Sequence, residues 1–294
     1  MQEQPTPRGS RIRSFLKLLL KIAVSVACLW YVYTKIDFTK AIAALGKADW
    51  FFLFIALLLF LLSKLIAAFR LNIYFRDINI HLPEKKNIKL YWLGMFYNLF
   101  LPGSIGGDAY KVILLTKKFN VPYKKTAAAV LLDRFSGLIA LGLIVAVYST
   151  IVLTSTLYIS LIIAAALLAS LGLYFVTRFW FRDFLAGFSA TFLLGIAVQV
   201  SQVICVYFIL LSLHLPLQQS AWIFIFLAAA VITVLPVSLG GGLGTREFVF
   251  REGALLFLLS PDLAVVISLL FYLCTLLGSL PGLYYIFHDP LKES

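Results

Sequence analysis

Leu101-Pro102-Gly103-Ser104-Ile105-Gly106-Gly107 recurs 134 residues later as Leu235-Pro236-Val237-Ser238-Leu239-Gly240-Gly241. Each copy closes an apolar run, Leu90 to Phe100 and then Ala221 to Val234. Each is followed by charge: Asp108 and Lys111, then Arg246 and Glu247. Proline cannot continue a helix, and clustered glycine frees the backbone. Within a membrane such irregular backbone survives only where it is buried in protein or lines a cavity. Matched interruptions in two halves of a chain point to a transporter-like binding site.

The surrounding sequence is that of a membrane protein. The 294 residues are 62% hydrophobic, with a mean hydropathy of +0.98. Residues 135–177 carry no Asp, Glu, Lys or Arg across 43 positions, and 184–245 carry none across 62. A helical span needs about 20 residues, so each stretch holds more than one membrane element. The net charge of +12 is not a nucleic-acid signal, because the Lys and Arg residues cluster between apolar runs, as sorting to the cytoplasmic face requires. Such a surface also attracts anionic lipid.

Arg8, Arg11, Arg13, Lys17 and Lys21 precede an apolar stretch, and Ser25-Val26-Ala27-Cys28 has the look of a cleavage site. The apolar part before Cys28 is short for a signal peptide and the run continues through Tyr33, so a retained first helix is expected. Cys28, Cys205 and Cys274 lie within apolar runs without a CxxC and read as packing residues. His81, His214 and His288 show no metal-ligand spacing. Neither a metal nor a cofactor is expected. With no GxSxG, HExxH, paired-carboxylate or Walker pattern, the chain is read as something other than an enzyme.

Full spans are expected at 15–34, 50–70, 127–151, 156–177, 190–212 and 262–287, with the Pro-Gly breaks in 88–112 and 220–250. The flanks arbitrate what the breaks do. Arg70, Arg76, Lys85, Lys86 and Lys89 precede the first, and Lys111, Lys117, Lys118, Lys124 and Lys125 follow its turn. Basic flanks on both sides imply entry and exit by one face, hence a hairpin. On this count 18 of the 25 basic residues are cytoplasmic and both termini face that side. The expected fold class is an all-α polytopic membrane protein. It is an inverted-repeat helix bundle of about six full spans and two re-entrant hairpins, eight membrane segments in all. Repeat 1 covers about 15–151 and repeat 2 about 156–287 of one membrane domain (15–287), between a basic tail (1–14) and a C-terminal tail (288–294). The cytoplasmic (inner) membrane is the expected location.

Three segments together resemble a known family: Asn98 to Asp108, Leu131-Leu132-Asp133-Arg134, and Leu235 to Glu247 with its Gly240-Gly241-Gly242-Leu243-Gly244-Thr245-Arg246-Glu247 ending. They resemble the lysylphosphatidylglycerol synthase transmembrane-region family of flippase-like membrane proteins. That family is marked by a Pro-Gly-rich loop, an acidic-Arg pair opening a later span, and a Pro-x-x-x-Gly-Gly-x-Gly-x-Arg-Glu loop. Asp133-Arg134 stands where Glu-Arg is more usual. The resemblance covers nearly the whole chain. It implies the lipid-handling membrane part without the soluble aminoacyl-transferase domain of the bifunctional enzymes.

Candidate headgroup-binding residues follow from both readings. Pro102, Gly103, Ser104, Gly106 and Gly107 in the first loop, and Pro236, Ser238, Gly240, Gly241 and Gly244 in the second, could present free amides to an anion at half-helix ends, or could simply allow close packing. Asp133 and Arg134 sit within a span, where ionisable groups are costly and functional. They point about 100° apart on a helix, so each is expected to meet a different partner. Asp108 either caps the helix after the first loop or pairs with Arg134. Arg246 is expected to converge with Arg134 on one anion. Glu247 can pair with Arg251 at i,i+4, or the two charges can lie on a solvated external helix. Lys64 is expected to snorkel. The function expected is binding and translocation of a lipid with an anionic headgroup, a phospholipid or a polyprenyl-phosphate-linked species. The alternatives are a membrane subunit serving a soluble lipid-modifying partner enzyme, and a small-solute transporter.

Overall fold

The computed structural model describes residues 30, 33–34, 38–100, 106–234 and 242–292. Most of the expected first span lies outside these residues, as do Pro102, Gly103, Ser104, Pro236, Ser238, Gly240 and Gly241. The helices run in order α1 Phe38–Gly46, α2 Trp50–Arg76, α3 Glu84–Phe100, α4 Gly106–Phe119, α5 Tyr123–Val152, α6 Thr156–Trp180, α7 Phe188–Ser212, α8 Ala221–Val234, α9 Thr245–Leu256, α10 Pro261–Ser279 and α11 Pro281–Phe287. Among the described residues five stretches are long and apolar enough to cross a membrane: α2, α5, α6, α7, and α10 with α11 as Pro261–Phe287.

Local chemistry sets the boundaries. The Asp49 carboxylate accepts the Phe51 N–H at 2.9 Å and starts α2. Ser260 caps α10, with Pro261 in the first turn, where a missing N–H costs nothing. The expected end of the second span at residue 70 falls one and a half turns short, since α2 continues to Arg76. The helix tolerates these cations because Arg70 is ion-paired within the bundle and Arg76 bonds Glu84 at 2.5 Å.

Helices α2 and α7 form the most extensive pairing, with α5 beside both. Lipid is as apolar as leucine, so close packing rather than transfer from water holds such helices together. Ala56, Ser63, Ala67 and Ala68 are small buried residues of α2 that let its neighbours come close. One core joins α2, α7, α8, α9 and α10 through Phe60, Ile209, Trp222, Phe226, Phe250 and Ile267. A second joins α2 to α5 through Phe75, Leu90, Leu115 and Ala129. Leu291 from the C-terminal tail is buried in this second core, where its carbonyl accepts from Lys118 Nζ at 2.7 Å. Helix α6 packs on α5 and turns Leu157, Leu161, Leu168 and Phe175 outward. Trp50 and Trp180 are exposed at helix ends, where an aromatic belt would sit.

Each Pro-Gly segment resolves into two antiparallel helices. In the first, Tyr97 stacks edge-on against Tyr110 and Tyr91 lies under Lys111. In the second, Phe224 meets Phe257, while Ile225 faces Gly253 and Thr233 faces Gly242. Helices α3 and α4 touch backbone to backbone: a Cβ on Gly107 would lie 2.0 Å from the Gly94 carbonyl oxygen. No side-chain rotation relieves that clash. Gly107→Ala should therefore destabilise the protein by about 1–3 kcal/mol, read as a lower Tm in detergent. Gly142→Ala, where nothing lies within 4 Å of the added methyl, should be neutral or slightly stabilising. Equal effects at the two positions would refute the close crossing.

Candidate functional site

Six charged residues of the bundle gather around one cavity of about 280 Å³. Its walls come from α2 (Lys64, Arg70), α3 (Tyr91, Asn98), α4 (Asp108, Lys111), α5 (Asp133, Arg134) and α7 (Gln199, Gln202), with Val234 at the end of α8. The first hairpin thus supplies one wall, and the last described residue before the second Pro-Gly loop reaches the same space.

Asp133 and Arg134 diverge as adjacent helical residues must. Asp133 turns inward, where its Oδ1 accepts from Arg70 Nε at 2.7 Å; the two side chains are 12% and 6% exposed. Arg134 donates its Nε to Asp108 Oδ2 and is one-third exposed, which marks the mouth of the cavity. Asp108 also accepts from Lys111 Nζ at 3.2 Å through its other oxygen. Asp108 is therefore the hub that ties the first hairpin to α5. Lys111 lies across Gly94 and over the Tyr91 ring, 4.7 Å from its centroid.

The glycine amides are already committed. The Gly107 N–H donates to Asn98 Oδ1 at 2.9 Å and the Gly244 N–H to Glu247 Oε2 at 2.7 Å. The expectation that these two groups wait free for a phosphate is corrected. A side-chain oxygen from the protein itself occupies each, and Gly107 serves close packing. Gly106 is half-buried at the start of α4.

Arg246 and Glu247 form a separate centre. Gly244, at φ 85°, turns the chain into α9, a conformation that suits glycine. Glu247 then sits at the helix N-terminus, where a carboxylate is favoured. Its Oε1 accepts from Ser268 Oγ at 2.8 Å and from Arg246 Nη2 at 3.3 Å, while Arg246 Nε donates to Ser268 Oγ at 2.9 Å. The guanidinium lies over Phe271 and Tyr272, 5.6 and 5.3 Å from the ring centroids. At 4% and 1% exposure, the two residues are not on a solvated external helix. Nor does Arg246 line the cavity around Arg134, so the expected convergence of the two arginines is corrected as well. Arg251 bonds Glu252, and Glu247 is taken up by α9's own start and by Ser268 on α10.

Sequence reasoning misses three side chains of the cavity, Tyr91, Gln199 and Gln202, and misreads three others, Arg70, Lys111 and Lys64. Arg70 reads as a loop cation when the span is ended at its charge. Lys111 reads as a cytoplasmic flank of the first break, and Tyr91, Gln199 and Gln202 carry no assigned role. Gln199 and Gln202 carried a usable signal, two amides at i,i+3 on one helix face within a charge-free stretch. Lys64 does not snorkel. It lies midway along α2, about 18 Å from the nearer end, and its ammonium sits 4.6 Å from the Phe60 ring centroid within the bundle.

Over residues 18–282 the chain matches the family described as Lysylphosphatidylglycerol synthase TM region. It is also 30% identical over 130 residues to the UPF0104 membrane protein PH1989 of Pyrococcus horikoshii. That stretch is 44% of this chain and 38% of the relative, so the match spans well under half of the relative's length. The apolar helices, the charged cavity within them and the match along nearly the whole sequence agree: the chain is an integral membrane protein of the lysylphosphatidylglycerol synthase TM region family.

Proposed function

We propose that the protein binds a lipid with an anionic headgroup, a phospholipid or a polyprenyl phosphate, and moves it between leaflets of the inner membrane without chemical change. The observation that carries this reading is the charge of the cavity. Lys64, Arg70, Lys111 and Arg134 face two carboxylates, Asp108 and Asp133, among the described residues. Surplus positive charge among membrane helices is costly unless an anion offsets it. Arg134 at the mouth has the planar fork that suits phosphate. The exposed Leu131 and Phe135 on the same helix would leave lipid tails in the bilayer.

The two halves are read as an inverted repeat, with both termini cytoplasmic and the hairpins re-entrant. The packing supports it pair by pair. Helices α2 and α7, second in each half, pack together. The contact of α5 with the second hairpin has its counterpart in that of α10 with α3, and the contact of α5 with α7 in that of α10 with α2. Three crossings per half then reverse the orientation of the second.

The test is reconstitution in liposomes holding a fluorescent phosphatidylglycerol, with a membrane-impermeant quencher reporting exchange between leaflets. Wild-type protein should accelerate exchange over empty vesicles. Arg134→Met should lower it by about tenfold, the equivalent of one charge-assisted contact, with a small change in Tm because Asp108 keeps Lys111. Exchange no faster than in empty vesicles, or full activity of the variant, would refute the reading. Activity that appears only with a soluble donor enzyme would favour a subunit role instead.

A further inference from the structure

We infer that the cavity selects a phosphomonoester, a dianion, over a phosphodiester, and that Lys64 is the residue that makes the distinction. This rests on the anion-binding reading above and narrows it to a ligand class.

The cations of the cavity are not equivalent. Arg70 is matched to Asp133, and Lys111 and Arg134 share Asp108. Lys64 has no hydrogen bond or ion pair within the described structure; its close neighbour is the Phe60 ring. It stands at the middle of a 27-residue helix, beyond snorkelling distance of either end. An ammonium held there without a counter-charge is the kind of group that marks a ligand path. On the wall of the same cavity, the Nη1 of Arg70, a residue only 5% exposed, lies against Gly137 and Gly195 and is buried without a hydrogen-bond acceptor. Gln202, also on the cavity wall, has no partner among the described residues.

The formal charge of the lining is +2, four cations against two carboxylates. A phosphodiester headgroup carries one negative charge and leaves one cation uncompensated. A phosphomonoester carries about −1.5 to −2 near neutral pH, with three strong acceptor oxygens. It alone can engage Arg134 at the mouth and Lys64 within while closing the charge balance. Two sources present this chemistry: a lipid phosphomonoester and a soluble organic phosphate.

The experiment measures binding of three probes to the purified full chain in neutral detergent at pH 7. They are phosphatidic acid (a lipid monoester), phosphatidylglycerol (a lipid diester) and glycerol 3-phosphate (a soluble monoester). Wild type should favour phosphatidic acid over phosphatidylglycerol by about tenfold, the scale of one added charge-assisted contact. Lys64→Met, which keeps the volume and removes the charge, should bring that ratio below about twofold without lowering Tm, since an unpaired, half-buried charge is removed. Lys64→Arg should retain the preference. Displacement of phosphatidic acid by glycerol 3-phosphate at comparable concentration identifies a soluble monoester as the source, and its failure to displace identifies the lipid. The inference is overturned if wild type binds the two lipids equally, or if folded Lys64→Met keeps the wild-type ratio. Either result leaves the anionic-lipid reading standing, whereas absence of binding to both lipids would remove that reading as well.

Discussion

Arg70→Met should lower the stability of the protein by about 3–5 kcal/mol, the cost of leaving a buried carboxylate without its partner. Asp133 is the residue stranded. Its Oδ1 takes Arg70 Nε at 2.7 Å inside the bundle. Asp133→Asn should cost less, because a neutral amide can still accept a hydrogen bond. The double variant Arg70→Met with Asp133→Leu should recover most of the loss, since a buried pair replaced by apolar residues is often neutral or better. Thermal unfolding in detergent reads all three. An unchanged Tm for Arg70→Met, or a double variant no better than the single one, would show that the pair does not hold α2 to α5. Recovery of stability without recovery of lipid exchange would separate the role of the pair in folding from its role at the cavity.

Glu247→Ala should be of similar size, about 3–5 kcal/mol. One carboxylate there serves the Gly244 N–H, Ser268 and Arg246. Its removal leaves a guanidinium that is 4% exposed facing Ser268 and two rings. Glu247→Gln keeps acceptor geometry and loses the charge, so it should fall between wild type and Glu247→Ala. Arg246→Met in the Glu247→Ala background should restore part of the loss, because the pair would couple by about 0.5–3 kcal/mol. Strict additivity of the two substitutions, in equilibrium unfolding, would mean that the ion pair contributes nothing.

The helix pattern was open to sequence reading because its signals are local. Apolar length sets α5, α6, α7, and α10 taken with α11, within a few residues of expectation, and proline with glycine breaks the two shorter segments into helix pairs. The divergence of Asp133 and Arg134 follows from helix geometry alone. What could not be read is what depends on partners distant in sequence. Arg70 reads as a cytoplasmic cation unless the facing Asp133, 63 residues away, is known. Lys64 reads as a snorkelling residue only when α2 is taken to end near it. Likewise Gly107 and Gly244 invite a phosphate on sequence grounds, and only the fold reveals that Asn98 and Glu247 already fill their amides.

Asp108 is held by two cations from different elements, Lys111 on its own helix and Arg134 on α5. On the proposed reading, an Arg134 that swung to an incoming anion would leave Asp108 with Lys111, and no carboxylate would be left bare among the helices. The latch between the first hairpin and α5 would thus open by exchanging partners rather than by stripping a charge, with the proposed ligand itself as the key.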